Sequence, residues 1–399
     1  MAGERIEGGT VTSPQGFVAG AAYAGLKVKG GLDVGVLCSE TPCVAAGVFT
    51  TGTVKAAPVL WCQERVAEGR ARAIVVNSGC ANACTGEQGM ADAASMASMA
   101  ASKLGLRPEE VMVASTGVIG QRLPLERVAQ GIDRIALSRE GGHELARAIM
   151  TTDTRAKEVA VAVEGTGVTV GGIAKGSGMI HPNLGTLLCF LATDAAVDAA
   201  FLNKALRDAV DVSFNMVTID GDTSPNDSVL ILANGAAGNE VLVDGSPEAE
   251  AFREAVTTVC TALGRQIAAD GEGASKLIEV TVDGAATVGD ARVAARTIAG
   301  SPLLKAAVHG CDPNWGRVVA ALGRSGAEVD PWKVGLYMNG VCLMEHGSPQ
   351  VFDRDHVRRL MAAEEVPIRV CLNLGDGAAT AWGCDLTAEY VVINSEYTT

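Results

Sequence analysis

Aromatic side chains are scarce in this 399-residue chain, at 4% of positions, so its core cannot be built around large rings. It must be filled by Ala, Val, Leu and Ile, which pack as regular α and β layers. Positive charge is also short: 32 basic residues stand against 46 acidic ones, for a net charge of -14, and no Lys/Arg-rich stripe interrupts the acidic background. That excludes an electrostatic grip on nucleic acid or on an anionic membrane and favours small-molecule partners. No apolar run approaches the roughly 18 residues that span a bilayer. The opening stretch "MAGERIEGGTVTSPQGF" has no uninterrupted apolar segment of the kind that directs secretion. The expected location is the cytoplasm.

A cysteine framework is missing as well. The eleven cysteines are an odd number scattered through apolar sequence, as with Cys189 in "TLLCFLA", and read as small buried hydrophobes of a reducing compartment. Cys80 and Cys84 in "NSGCANACTG" lie close together, but no second Cys/His pair completes a zinc site, so a tight Gly/Asn-rich loop is the better reading. The five histidines form no HExxH or facial-triad pattern. "DGDTSPND" at 220–227 lacks the Gly and terminal Glu of a calcium loop and reads as an acidic turn. No Gly-x-Ser-x-Gly surrounds Ser177. Neither a metal nor a cofactor is expected.

What is present is an α/β pattern long enough for more than one core. "VGVLCSE", "CVAAGVFT", "APVLWCQ" and "ARAIVVNSG" read as opening strands. The Ala/Met-rich "GMADAASMASMAASKL" reads as a helix, "RPEE" as a short helical turn and "VMVASTGVIG" as a strand entering a turn. Helices follow near 123–135 and 142–150, and the run 158–179 alternates about a Gly turn like a hairpin. Beyond it come a strand from Thr186, a helix over 199–212, a strand over 228–234 and a long helix ending near Asp270. Ser246, Pro247 and Glu248 suit that long helix's start, and its apolar face runs through Phe252, Val256, Val259, Cys260, Leu263 and Ile267. Residues 1–275 are expected to form a catalytic domain and residues 276–399 a smaller C-terminal α/β domain.

One seam invites chemistry. In "KGSGMIHPNLGTLLCF" (175–190) a Gly/Pro-rich loop turns at Gly185-Thr186 directly into an apolar run. A threonine freed at its amine by chain cleavage carries nucleophile and base together, and the glycine before it tolerates a strained backbone. A plain strand start accounts for the same pattern. Acyl transfer also needs oxyanion donors, and "ASTGVIG" ends a strand at Thr116-Gly117, where a turn could aim backbone N–H groups and a hydroxyl into a cleft. An ordinary strand-to-turn transition is the bland alternative.

Several stretches together, "NSGCANACTG", "ASTGVIG", "AIMTTDT", "GGIAKGSGMIHPNLGTLL", "DGDTSPNDSV", "DGEGASKLIEV", "SPLLKAAVHGCDPNWGRV" and "INSEYTT", resemble the ornithine acetyltransferase (glutamate N-acetyltransferase) family of arginine biosynthesis, in order and over nearly the whole chain. The resemblance implies a layered sandwich of sheets and helices shared with self-cleaving aminopeptidases. It implies a precursor that cuts itself into an α chain (1–185) and a β chain (186–399), which assemble as a heterotetramer of two of each. Thr186 would take acetyl from N-acetylornithine and pass it to glutamate. Thr116 and Gly117 would form the oxyanion hole, while Thr151, Lys175, Glu272, Asn394 and Thr399 would hold substrate, with Thr151 preferred over Thr152. Lys175 suits an α-carboxylate, Glu272 a cationic amine, and Asn394 and Thr399 neutral hydrogen bonds. Where the family usually has Met-Ala before the nucleophile this chain has Leu184-Gly185, and cleavage is still expected. No discrete coenzyme A motif is readable, so acetyl-CoA as a second donor stays open. The alternatives are an N-terminal-nucleophile aminopeptidase or amidase and a non-catalytic metabolite-binding relative.

Overall fold

Runs of small aliphatic residues pair into two sheets in the computed structural model, which describes residues 3–181 and 187–396. The larger sheet contains β1 (Glu4–Arg5), β2 (Phe17–Ala22), β3 (Val34–Phe49), β4 (Arg70–Cys80), β5 (Val111–Val118), β6 (Lys157–Ala162), β7 (Thr169–Lys175), β8 (Leu188–Thr193) and β9 (Ser228–Ala233). Its order is β1-β6-β7-β8-β9-β3-β4-β5, with β2 also paired to β3. The smaller contains β10 (Leu277–Ala285), β11 (Gly335–Met338), β12 (Val341–Glu345), β13 (Ser348–Pro349), β14 (Glu365–Cys371) and β15 (Gly377–Cys384), in the order β13-β12-β11-β14-β10-β15. The helices are α1 (Ala57–Val66), α2 (Gly86–Leu104), α3 (Leu125–Arg134), α4 (Gly142–Ala148), α5 (Ala199–Val212), α6 (Ala249–Ala269), α7 (Val288–Ala299), α8 (Pro302–His309), α9 (Trp315–Gly323), α10 (Arg354–Leu360) and α11 (Ala388–Glu396). The parallel pairs β4/β5 and β8/β9 have helices in their connections, as parallel neighbours require.

β8 shows why the larger sheet is sandwiched. Leu188, Phe190 and Ala192 face the core shared with α2, α3 and α4, while Cys189 and Leu191 face the core shared with α5 and α6. A strand buried on both faces reads as a continuous apolar run, and "LCFLAT" is one. α6 buries Phe252, Val256, Val259, Cys260, Leu263 and Ile267, at roughly 1.5–3 kcal/mol for each large aliphatic or aromatic side chain. It packs against β6 and β7 of the larger sheet and against β10 and β15 of the smaller, so one core runs from sheet to sheet through this helix.

Three local expectations are corrected. "APVLWCQ" is not a strand but the first part of α1: Pro58 sits in the first helical turn, where a missing N–H costs nothing, and Trp61 Nε1 donates to Val111 O at 3.1 Å. "VGVLCSE" and "CVAAGVFT" are one strand, β3, whose register shifts between Cys38 and Cys43 around Pro42. Ser246 does not cap α6 with its hydroxyl; the Ser246 carbonyl accepts from Ala249 N at 3.1 Å while its hydroxyl has no partner among the described residues. All eleven cysteines are unpaired. Among the described residues no helix is long and apolar enough to cross a membrane.

Candidate functional site

The end of β5 is pinned before it becomes useful. Gly79 opposes Gly117, and the register then slips at Cys80, a bulge that re-aims the strand ends. Gly117 sits at φ 125°, and a Cβ there would lie 2.4 Å from the Gly79 carbonyl carbon, so only glycine fits. Asn226 Nδ2 donates to Ala81 O at 2.6 Å and Ser115 O at 2.8 Å, and Ser115 Oγ donates to Asn77 Oδ1 at 2.6 Å. This lattice fixes Thr116 and Gly117 at the wall of a cleft that is open to solvent.

Six sequence-predicted site residues line that one cleft: Thr116, Gly117, Thr151, Lys175, Glu272 and Asn394. Leu187 and Leu188 line it as well. The remaining two, Thr186 and Thr399, lie outside the described residues, as do Leu184 and Gly185.

Lys175 ends β7, is 9% exposed, and its Nζ donates to Thr116 Oγ1 at 3.5 Å. Burial lowers its pKa; Asp153 opposes that fall, Lys157 adds to it, and Asp227 and Glu272 also oppose it. Beyond Lys175 the chain turns through Gly176 and Ser177 to Gly178, where a Cβ would stand 2.6 Å from the Glu272 carboxyl. Glycine therefore gives that carboxylate its room. Glu272 N donates to Ser177 O at 2.8 Å, and Glu272 Oε2 accepts from Asn394 Nδ2 at 2.8 Å. Asn394 rides on α11, whose start is tied down by Thr387 Oγ1 donating to Gly273 O at 2.7 Å.

Thr152 Oγ1 is bonded to Ser177 Oγ at 2.7 Å, whereas the Thr151 hydroxyl has no such bond among the described residues. Thr151 N donates to Asp153 Oδ2 at 3.0 Å. Behind this loop Lys157 Nζ lies 2.6 Å from Asp153 Oδ1 and 2.5 Å from Asp270 Oδ2. Burial pushes the Asp153 carboxyl up, but Lys157, Lys175 and the Thr151 amide together hold it well below the usual carboxylate range.

Sequence reasoning passed over the acidic turn at 220–227 and Tyr390. Asp220, Asp222, Ser224, Asn226, Asp227 and Tyr390 all line the cleft. Asp220 accepts from Met179 N at 2.5 Å and Ile180 N at 2.9 Å, holding the chain just before residue 181, and burial raises its pKa. Burial, then Asp220, Glu272 and Asp222, push the Tyr390 hydroxyl up to about 12. The usable signal was a dense run of Asp and Asn directly preceding the fully buried β9. No group of three or more His, Cys, Asp or Glu among the described residues is placed to hold a metal ion. The cleft can thus receive an anion at Lys175, a cation at Glu272, and an oxyanion at the end of β5.

Comparison with known proteins gives this cleft relatives. A family model described as the ArgJ family matches residues 18–399. A relative from Dehalococcoides mccartyi (strain CBDB1) is 53% identical over 395 residues, covering 98% of each chain. One from Symbiobacterium thermophilum is 56% identical over 397 residues, covering 98% of this chain and 99% of its own. Both are named arginine biosynthesis bifunctional protein ArgJ. A solved structure of the protein of that name from Bacillus halodurans is 42% identical, with a TM-score of 0.51, over 51% of this chain and 96% of the solved chain.

Proposed function

The chain belongs to the ArgJ family and is an acyltransferase of arginine biosynthesis, and from that premise we propose how its residues divide the transfer of acetyl from N2-acetyl-L-ornithine to L-glutamate. The observation that carries the reading is that Thr116, Gly117, Thr151, Lys175, Glu272 and Asn394 line one cleft with Leu187, the residue that follows Thr186 in the chain.

First the precursor cuts itself. The Thr186 hydroxyl attacks the Gly185 carbonyl, the acyl group shifts from nitrogen to oxygen and so frees the Thr186 amine, and water hydrolyses the resulting ester to give the Gly185 carboxylate and restore the Thr186 hydroxyl. Residues 1–185 and 186–399 are then separate chains. The B. halodurans chain supports this, since 51% of the present chain accounts for 96% of it.

In the first half-reaction the Thr186 hydroxyl attacks the acetyl carbonyl of N-acetylornithine while the Thr186 amine accepts its proton. The Thr116 hydroxyl and the Gly117 N–H stabilise the oxyanion, and the amine passes the proton to departing ornithine. Lys175 and Thr151 hold the α-carboxylate. Glu272 receives the side-chain ammonium, with Asn394 and Thr399 completing the hydrogen bonds. Glutamate then attacks the acetyl-Thr186 ester through its amine and leaves as N-acetylglutamate. The word "bifunctional" in the relatives' names supports a second activity, and acetyl-CoA as a second donor needs no new nucleophile because the acetyl-Thr186 ester is common to both routes. We also propose a heterotetramer of two α and two β chains.

Thr186→Ala is the direct test. N-terminal sequencing and intact mass should show one uncut chain of 40.8 kDa without acetyl transfer, against two chains for the parent protein. A Thr186→Ala protein that still transfers acetyl at the parent rate would overturn the assignment.

A further inference from the structure

We propose that Asp153, buried with Lys157 and Asp270 behind the cleft, is a positioning residue that holds Thr151, Lys175 and the Glu272 loop in one arrangement for charged substrates. This rests on the reading of Lys175 and Thr151 as the carboxylate site given above.

None of the three charges lines the cleft, and their side chains are 0% (Asp153), 0% (Lys157) and 4% (Asp270) exposed. Yet the segments that carry Thr151 and Lys175 are bonded to them, and Asp270 itself leads into the loop that carries Glu272. Asp153 Oδ2 accepts from Thr151 N at 3.0 Å, and Asp153 Oδ1 accepts from Gly176 N at 2.7 Å, directly after Lys175. Asp270 accepts from Thr154 N at 3.1 Å and from the Thr154 hydroxyl, and it stands two residues before Glu272. The Glu272 N–H donates to Ser177 O at 2.8 Å, which closes the ring of contacts.

Charge points the same way. Two carboxylates share Lys157, which leaves one negative charge in excess in a buried place, where unbalanced charge is costly. The next cation acting on Asp153 is Lys175. The charged groups acting on Lys175 are Asp153 and Lys157 from the segment leading into β6, Asp227 before β9, and Glu272 after α6, with Lys27 also felt from the loop before β3. Asp153 favours the charged form of Lys175 and Lys157 disfavours it.

These opposite signs supply a test that packing alone would not pass. Asp153→Asn should raise the KM for N-acetylornithine and for glutamate by about tenfold, the scale of one charge-assisted contact. Its single-turnover rate at saturating donor should change little, and the alkaline limb of 1/KM should move to lower pH. The double variant Lys157→Met/Asp270→Asn, which removes one charge of each sign, should move that limb to higher pH. Unchanged KM and unmoved limbs, with only a lower melting temperature or active fraction, would overturn the proposal. If Asp153→Asn does not fold, the double variant decides alone. Lys175→Met separates the two readings: if it leaves KM unchanged the carboxylate site itself is wrong, whereas if it raises KM and Asp153→Asn does not, the positioning role is wrong.

Discussion

Thr116 and Lys175 show what single residues give away. Thr116-Gly117 ends a strand as an ordinary strand-to-turn transition also would, and the family resemblance singled it out; the structure adds that Gly117 sits at a positive φ that a side chain could not share. Asp153 was not legible: whether an Asp is a solvated charge or a buried anchor depends on Lys157 and Asp270 meeting it, and Asp270 is distant in sequence. Two expectations belong at this scale. Thr116→Val should lower the single-turnover acyl-transfer rate by about 10²–10³, the usual cost of one oxyanion donor, with little change in donor KM. Because burial lowers the Lys175 pKa, the ammonium is present at low pH and is lost as pH rises through a value below that of an ordinary lysine. A profile of 1/KM for N-acetylornithine should therefore fall on its alkaline side earlier than the ordinary lysine value of about 10.4 allows.

At the scale of elements, helical and strand periods were readable wherever the apolar residues were numerous. α5 falls on its expected residues, and α6 shows the spacing of a helix packed along one side. α1 was misread because five apolar residues in "APVLWCQ" look like a strand until Pro58 is given its place in a first turn. The acidic turn at 220–227 was seen as a turn but not as a cleft wall, since loop placement depends on which strand ends converge. α6 ties both sheets together, so Leu263→Ala should cost about 2–5 kcal/mol in urea unfolding while leaving KM for the folded fraction unchanged. α11 differs: it has no buried residue but carries Asn394. A chain ending at Thr387 should keep nearly the parent stability and lose donor affinity, read as a raised KM.

The whole molecule joins a larger sheet, with helices on both faces, to a smaller one through α6, and its cleft draws on β5, β7, the start of β8, the loop before β9, the loop after α6 and α11. Its lining comes from both sides of the Gly185-Thr186 bond, so neither product of the proposed cleavage would hold the site alone. The two chains should consequently stay associated, and light scattering of the cleaved protein should give a native mass near twice the 40.8 kDa of one precursor. The likeness to ornithine acetyltransferases was readable because its eight motifs run in order along almost the entire chain, and six of the eight contribute residues to the cleft. The central claim is that Thr186, freed by cleavage, carries the acetyl group. Mass analysis of the protein incubated with N-acetylornithine and no glutamate tests it most directly. The expected result is a chain beginning Thr-Leu-Leu-Cys-Phe and heavier by one acetyl group on Thr186, which glutamate then removes; an uncut, unmodified chain with full transferase activity would contradict it.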